Sequence, residues 1–167
     1  MLRRSSGGGA VLWDTGLLAL DVVLPRGHPL EGRDVVEGYR WLGDALAGGL
    51  RALGAPEVEV VQVPRARAAA PRPADVACFG GLSPYEVLAG GRKVVGLSQA
   101  RRRGGTLLQA GVLLDLDAAR LARVLGGGDR LAADLAAAAA GLGELVPGLE
   151  PDGVVAAVDP LLVAAAA

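Results

Sequence analysis

Cysteine and histidine each occur once in this chain of 167 residues, as Cys78 and His28. One cysteine excludes an intramolecular disulfide, and its free thiol fits a reducing compartment, so the cytoplasm is the expected location. A metal centre built from several His and Cys ligands is excluded as well, and no metal site is expected. Any catalytic triad would have to use His28. Aromatic residues make up 3% of the chain, so a core must come from Val, Leu and Ala. Charge of one sign is also missing: 17 Lys and Arg stand against 18 Asp and Glu, a net charge of −1. No overall field draws in nucleic acid or a membrane surface, and neither is expected as a partner. Long apolar runs are absent. Leu17–Leu24 is too short to span a bilayer, and the stretch from Val154 is broken by Asp159 and Pro160. The arginines at 3 and 4 are followed by glycines rather than by the apolar core of a secretion signal. The chain reads as a soluble protein.

What remains is long enough to bury a real core, and it reads as one domain over 1–167. Ala10–Trp13 and Leu17–Leu24 read as two strands around Asp14-Thr15-Gly16, or as one bent strand. The spacing of Val35, Tyr39, Leu42, Leu46, Leu50 and Leu53 predicts a helix over 34–53, with Asp34 as N-cap and Gly54 as the left-handed stop. A strand is expected at Val58–Val63, then a Pro- and Arg-rich loop over 64–74. Short strands follow at Val76–Phe79, Tyr85–Leu88, Lys93–Gln99 and Thr106–Leu114, joined by Gly-Gly and Ser-Pro turns as in a meander. Helices are expected at Asp117–Leu125, capped by Asp117, at Arg130–Ala140, and at 151–165 with an interruption at Pro160. Strand, helix, strand, consecutive strands, then helices is the order of an α+β domain with a mostly antiparallel sheet and packed helices.

Three stretches carry candidate chemistry. Arg3-Arg4-Ser5-Ser6-Gly7-Gly8-Gly9-Ala10-Val11 leads into a strand. Its glycines let backbone N–H groups close around an anion, and its arginines can grip a carboxylate or phosphate. The other reading of the same stretch is a flexible terminus. In Gly90-Gly91-Arg92-Lys93-Val94-Val95-Gly96, Lys93 opens a strand after a tight turn. It is either a fixed point charge for a carbonyl or phosphate, or an ordinary solvated hairpin charge. Cys78 ends Val76-Ala77-Cys78-Phe79 and is either an acyl-transfer nucleophile or an inert buried thiol. Glu86, in Ser83-Pro84-Tyr85-Glu86, the arginines at 101–103 and His28 are lesser features. The arginine run reads as a solvated face or as a contact for an acidic partner, and His28 reads as a surface loop residue.

Taken in order, the arginine-glycine loop, a helix ending in Leu53-Gly54, Ala77-Cys78-Phe79, Ser83-x-Tyr85-Glu86-Val87, Gly91-Arg92-Lys93-Val94-x-Gly96 and Gln109-x-Gly111 form a series. Over residues 3–125 it resembles the catalytic domain shared by lipoate–protein ligases, biotin–protein ligases and the octanoyltransferases of lipoyl synthesis, and it is nearest to the lipoate and octanoate branch. The resemblance implies an N-terminally truncated copy, because family members carry further residues ahead of the arginine-glycine loop. It implies that Arg3, Arg4, Ser6, Gly7, Gly8, Gly9 and Ala10 line the pocket of the acyl chain and its activated head. Lys93 would contact the acyl carbonyl and the adenylate, and Gly96 would keep the strand open beside the ligand. Leu107, Leu108 and Val112 would wall the acyl tunnel. The implied activity is protein lipoylation by a ligase: a lipoyl or octanoyl group joins a lysine of a lipoyl domain through lipoyl-AMP, with ATP and Mg2+. The alternatives are octanoyl transfer from acyl carrier protein through a Cys78 thioester, with no cofactor, or an inactive acyl-binding remnant. Trp13, Leu97 and Ala110 depart from the family's pattern, which carries polar or smaller groups there.

Overall fold

The computed structural model describes residues 9–62 and 72–166. The fold is α+β. Strands β1 (Leu17–Pro25), β2 (Glu59–Val60), β3 (Val87–Ala89), β4 (Arg92–Arg102) and β5 (Gly105–Leu113) form one antiparallel sheet in the order β1-β5-β4-β3-β2. The β3–β4 hairpin turns on Gly90 and Gly91, whose φ angles of 55° and 74° are the pair of left-handed conformations that a two-residue hairpin with this twist requires. The register runs Leu17 opposite Leu113 to Pro25 opposite Gly105, and Val95 opposite Val112 to Arg102 opposite Gly105. Because side chains alternate along a strand, this register sends Leu18, Leu20, Leu108, Ala110, Val112 and Val95 to one face.

Helix α1 (Arg40–Ala52) covers that face with Leu42, Leu46 and Leu50, which are fully buried, and α5 (Pro151–Ala166) packs beside it through Val154 and Val158. A Cβ on Gly49 would come within 2.6 Å of Val158, so the glycine that weakens α1 locally is what lets the two helices approach. Helices α2 (Ala118–Val124), α3 (Asp129–Ala138) and α4 (Leu142–Leu145) follow the sheet. A second small cluster joins Leu121, Ala122 and Leu135 of α2 and α3 to Ala74 and Ala77.

Several local expectations change. Asp34 does accept the N–H of Glu37 at 2.8 Å, but it heads a short 3-10 turn (Glu37–Tyr39), and α1 starts only at Arg40. Val76–Phe79 is not a strand. Pro73 and the Arg72–Asp75 pair set a 3-10 turn over Pro73–Val76, after which the backbone makes one parallel bridge, Ala10 to Ala77. The strand expected at Val58–Val63 is reduced to Glu59–Val60 at the sheet edge, and Val63 lies outside the described residues. Pro160 sits inside α5 without ending it, on an exposed position, while Val154 and Val158 hold the helix to α1. Asp117 caps α2 as read from the sequence, accepting the Arg120 N–H at 2.8 Å. Among the described residues no helix is long and apolar enough to cross a membrane.

Candidate active site

The second face of the sheet carries the site. Opposite β3, strand β4 contains an extra residue: Val87 pairs with Val95 but Leu88 pairs with Lys93, so Val94 is a bulge. The bulge reverses the alternation, and Lys93 turns to the same face as Gly96. A Cβ on Gly96 would lie 3.4 Å from the Lys93 Cε and 3.5 Å from the Phe79 ring. Gly96 and Gly111 are direct cross-strand partners, and the Phe79 ring rests on both, at 3.5 Å from the place of each missing Cβ. Two glycines side by side leave a flat floor at the point where ordinary strand residues would raise side chains.

Lys93 is not a solvated hairpin charge. Its side chain is 1% exposed, and its ammonium lies 2.7 Å from Glu86 Oε2, itself 3% exposed. It also donates to the carbonyl oxygens of Cys78 at 2.8 Å and Gly81 at 3.0 Å, and it lies 5.3 Å from the centre of the Phe79 ring. Three N–H donors meet three oxygens, so the ammonium is saturated. Glu86 accepts the backbone N–H of Ser83 at 2.7 Å and of Leu97 at 3.2 Å. Burial pushes its carboxyl above the ordinary carboxylate range, against the pull of the Lys93 charge and these donors.

The turn carrying Cys78 is held from both ends. Arg72 donates to Gly80 O at 2.6 Å while Lys93 holds Cys78 O and Gly81 O. The Cys78 N–H donates to Ala10 O at 2.8 Å, and the Ala10 N–H donates to Val76 O at 3.0 Å. Gly9 lies against the same backbone: a Cβ there would come within 2.6 Å of Ala77. Cys78, half-buried, lines a groove that runs over the glycine floor between Val11, Leu17, Phe79 and Gln109, with Trp13, 71% exposed, at its lip.

Ala10, Cys78, Lys93 and Gly96 therefore meet in one place, with Gly9 behind them. Arg3, Arg4, Ser6, Gly7 and Gly8 lie outside the described residues. Leu108 and Val112 do not wall the groove: they are buried in the core under α1, because the β5 register turns them to the opposite face. His28 accepts the Leu30 N–H at 3.2 Å and caps a 3-10 turn. Arg101 donates to the carbonyls of Glu31 and Asp34, so part of the arginine run is internal bracing rather than a solvated face.

Glu86 was legible only as a solitary carboxylate, and Phe79 only as a neighbour of Cys78. One sequence signal did point here. Lys93 is the chain's only lysine; every other member of the 17 Lys and Arg residues is arginine. A compact ammonium gathers three oxygens around one atom, whereas a guanidinium spreads its donors in a plane. Chemically, the site offers a free thiol on a braced turn, beside an apolar groove with a flat floor.

Among known proteins, the sequence model of the lipoyl protein ligase A/B catalytic domain matches residues 1–158. The octanoyltransferase LipM of Kyrpidia tusciae is 41% identical over 126 residues, which is 74% of this chain and 45% of that protein. The chain thus spans less than half the length of the curated relatives it matches. A lipoate-protein ligase A solved with bound ATP superposes with a TM-score of 0.70 at 23% identity, over 98% of this chain and 57% of that one. A bi-partite lipoate protein ligase of Thermoplasma acidophilum, described with its E2 lipoyl domain, superposes with a TM-score of 0.70 at 22% identity, over 98% and 56%. At these identities the two structures speak for the fold.

Proposed function

The chain belongs to the lipoyl protein ligase A/B catalytic domain family, and from that footing we propose that it serves in protein lipoylation as an acyl-transfer domain with Cys78 as the carrier. The observation that supports this most is the place of the only thiol: Cys78 opens into an apolar groove above the Gly96–Gly111 floor, on a turn braced by Lys93 and Arg72. A thin, unbranched chain suits a groove that runs beside the Phe79 ring over these glycines, and a thiolate is the side chain best suited to accept an acyl group. The relatives named as octanoyltransferases support the same branch.

In this reading the Cys78 thiolate attacks the thioester carbonyl of octanoyl-acyl carrier protein. The new S–C bond forms as the carrier's sulfur leaves and takes up a proton. The ε-amine of a lysine on a lipoyl domain then attacks the Cys78 thioester. An amide forms, and Cys78 recovers its thiol with the proton that the amine gives up. Neither half-reaction draws on ATP. Arg3, Arg4, Ser6, Gly7, Gly8, Gly9 and Ala10 would line the donor side, with Gly96 under the chain. We read residues 1–167 as one partial catalytic domain working in the cytoplasm, where a free thiol stays reduced. Lys93 has its donors committed to Glu86, Cys78 and Gly81, so in the ATP-dependent ligase reading the charge on a phosphate would fall to Arg3 and Arg4.

The test is intact mass after incubation with octanoyl-acyl carrier protein. Wild type should gain one octanoyl group and lose it on addition of a lipoyl domain. Cys78→Ala should gain none and should transfer at least about a thousandfold more slowly. Full transfer by Cys78→Ala, or lipoyl-domain modification that requires lipoate and ATP and passes through no adduct, would replace this reading with the ligase.

A further inference from the structure

Resting on that acyl-transfer reading, we propose that Glu86 is a positioning residue of the site: it holds the Lys93 head in place, and Lys93 in turn fixes the two carbonyls that orient the Cys78 turn. The chain of contacts is continuous. Glu86 is anchored by the N–H groups of Ser83 and Leu97, at 2.7 and 3.2 Å, one from the loop before β3 and one from β4. Its carboxylate also pairs with Lys93, at 2.7 Å. Lys93 spends its other two donors on Cys78 O and Gly81 O, at 2.8 and 3.0 Å. Glu86 is not among the residues that line the groove, and its link to the Cys78 turn runs through Lys93.

The position of the carboxylate is what makes it necessary. It anchors the lysine head from the side opposite the two carbonyls, and Lys93 is 1% exposed, so no water takes its place. Without that anchor the head is free to shift, and its hold on Cys78 O and Gly81 O loosens. The Val94 bulge supports the same assignment. It rotates Lys93 to the Gly96 face at a point where regular alternation would have sent it to the core, and so places the one lysine of the chain between Glu86 and the Cys78 turn.

The experiment compares wild type with Glu86→Gln, Lys93→Met and the double variant, with Glu86→Asp as a milder change that keeps the charge but withdraws it. Acetylation by an N-hydroxysuccinimide ester reads Lys93 directly by mass, since the chain offers only that amine and its own N-terminus. In folded Glu86→Gln, or in Glu86→Asp if the amide variant does not fold, Lys93 should be labelled at least about tenfold faster than in wild type. The rate of Cys78 acylation should fall at least about tenfold with KM for the acyl donor changed by no more than about twofold, and the double variant should be no slower than Lys93→Met. Unchanged labelling, or losses for Glu86→Gln and Lys93→Met that multiply in the double variant, would overturn the proposal. Labelling needs no substrate. If wild type formed no adduct on Cys78, the acyl-transfer reading would fall, and labelling would still decide whether Glu86 holds Lys93.

Discussion

Lys93 and Glu86 form a buried ion pair. Both are almost wholly out of water, so each depends on the other for charge compensation. Lys93→Met should therefore destabilise the fold by about 3–5 kcal/mol, because it strands a buried carboxylate. Glu86→Gln combined with Lys93→Met should recover part of that loss, since two neutral groups need no compensation. Urea unfolding of the two variants checks the order, and a double variant less stable than Lys93→Met would contradict it. Gly96 tests the floor rather than the charge. Phe79 packs directly on Gly96: a Cβ there would already touch the ring at 3.5 Å and the lysine stem at 3.4 Å, so the methyls of a valine would push against both. Gly96→Val should slow octanoyl loading of Cys78 at least about tenfold while costing about 1–3 kcal/mol of stability. Loading at the wild-type rate would mean that the acyl chain lies elsewhere.

At the scale of elements, the loop between β1 and α1 is held to the sheet by ties that sequence spacing does not suggest. Thr106 of β5 donates to Glu31 at 2.6 Å, Gly27 N–H donates to the same carboxylate at 2.9 Å, and Arg101 of β4 donates to the Glu31 and Asp34 carbonyls at 2.6 Å. The Thr106 hydroxyl first, and then the Gly27 N–H, hold the Glu31 carboxyl below its ordinary value of 4.5. A carboxyl lowered on folding lends stability above its unfolded pKa and loses it as pH falls through its folded one. Amide exchange over residues 27–34, compared at matched chemical exchange rates, should therefore quicken as the solution is taken below about pH 4.5. Glu31→Gln should show no such step, and a step that persisted in it would assign the effect to another group. The contribution is small, because this carboxylate faces solvent.

For the molecule as a whole, one sheet serves two purposes. The face with Val95, Ala110 and Val112 builds the core with α1 and α5, and it sets stability. The face with Gly96 and Gly111 is kept low and carries the groove, with Phe79 and the Cys78 turn seated on it and the cluster of α2 and α3 supporting the backbone at Ala74 and Ala77. Core and site are thus separated by the thickness of a sheet. Substitutions under α1 should act mainly on stability, and substitutions on the groove face mainly on acyl loading.

The sequence by itself determined the α+β class, the leucine face of α1, the Gly90–Gly91 turn and the cap at Asp117, because each is a matter of residues a few positions apart. Its ordered motifs also carried the resemblance to the family, and with it Cys78, Lys93 and Gly96 as candidates. Only the tertiary structure decided that Glu86 and Lys93 are one buried unit, and that Leu108 and Val112 belong to the core rather than to the groove. Both outcomes depend on strand register. A single extra residue at Val94 or a shift of pairing by one position exchanges the faces of a strand, and no spacing within one segment records which partner lies opposite. Val76–Phe79 failed as a strand for a related reason: among the described residues its apolar run makes a single bridge, to Ala10, and Pro73 and Asp75 commit the chain just before it to a turn.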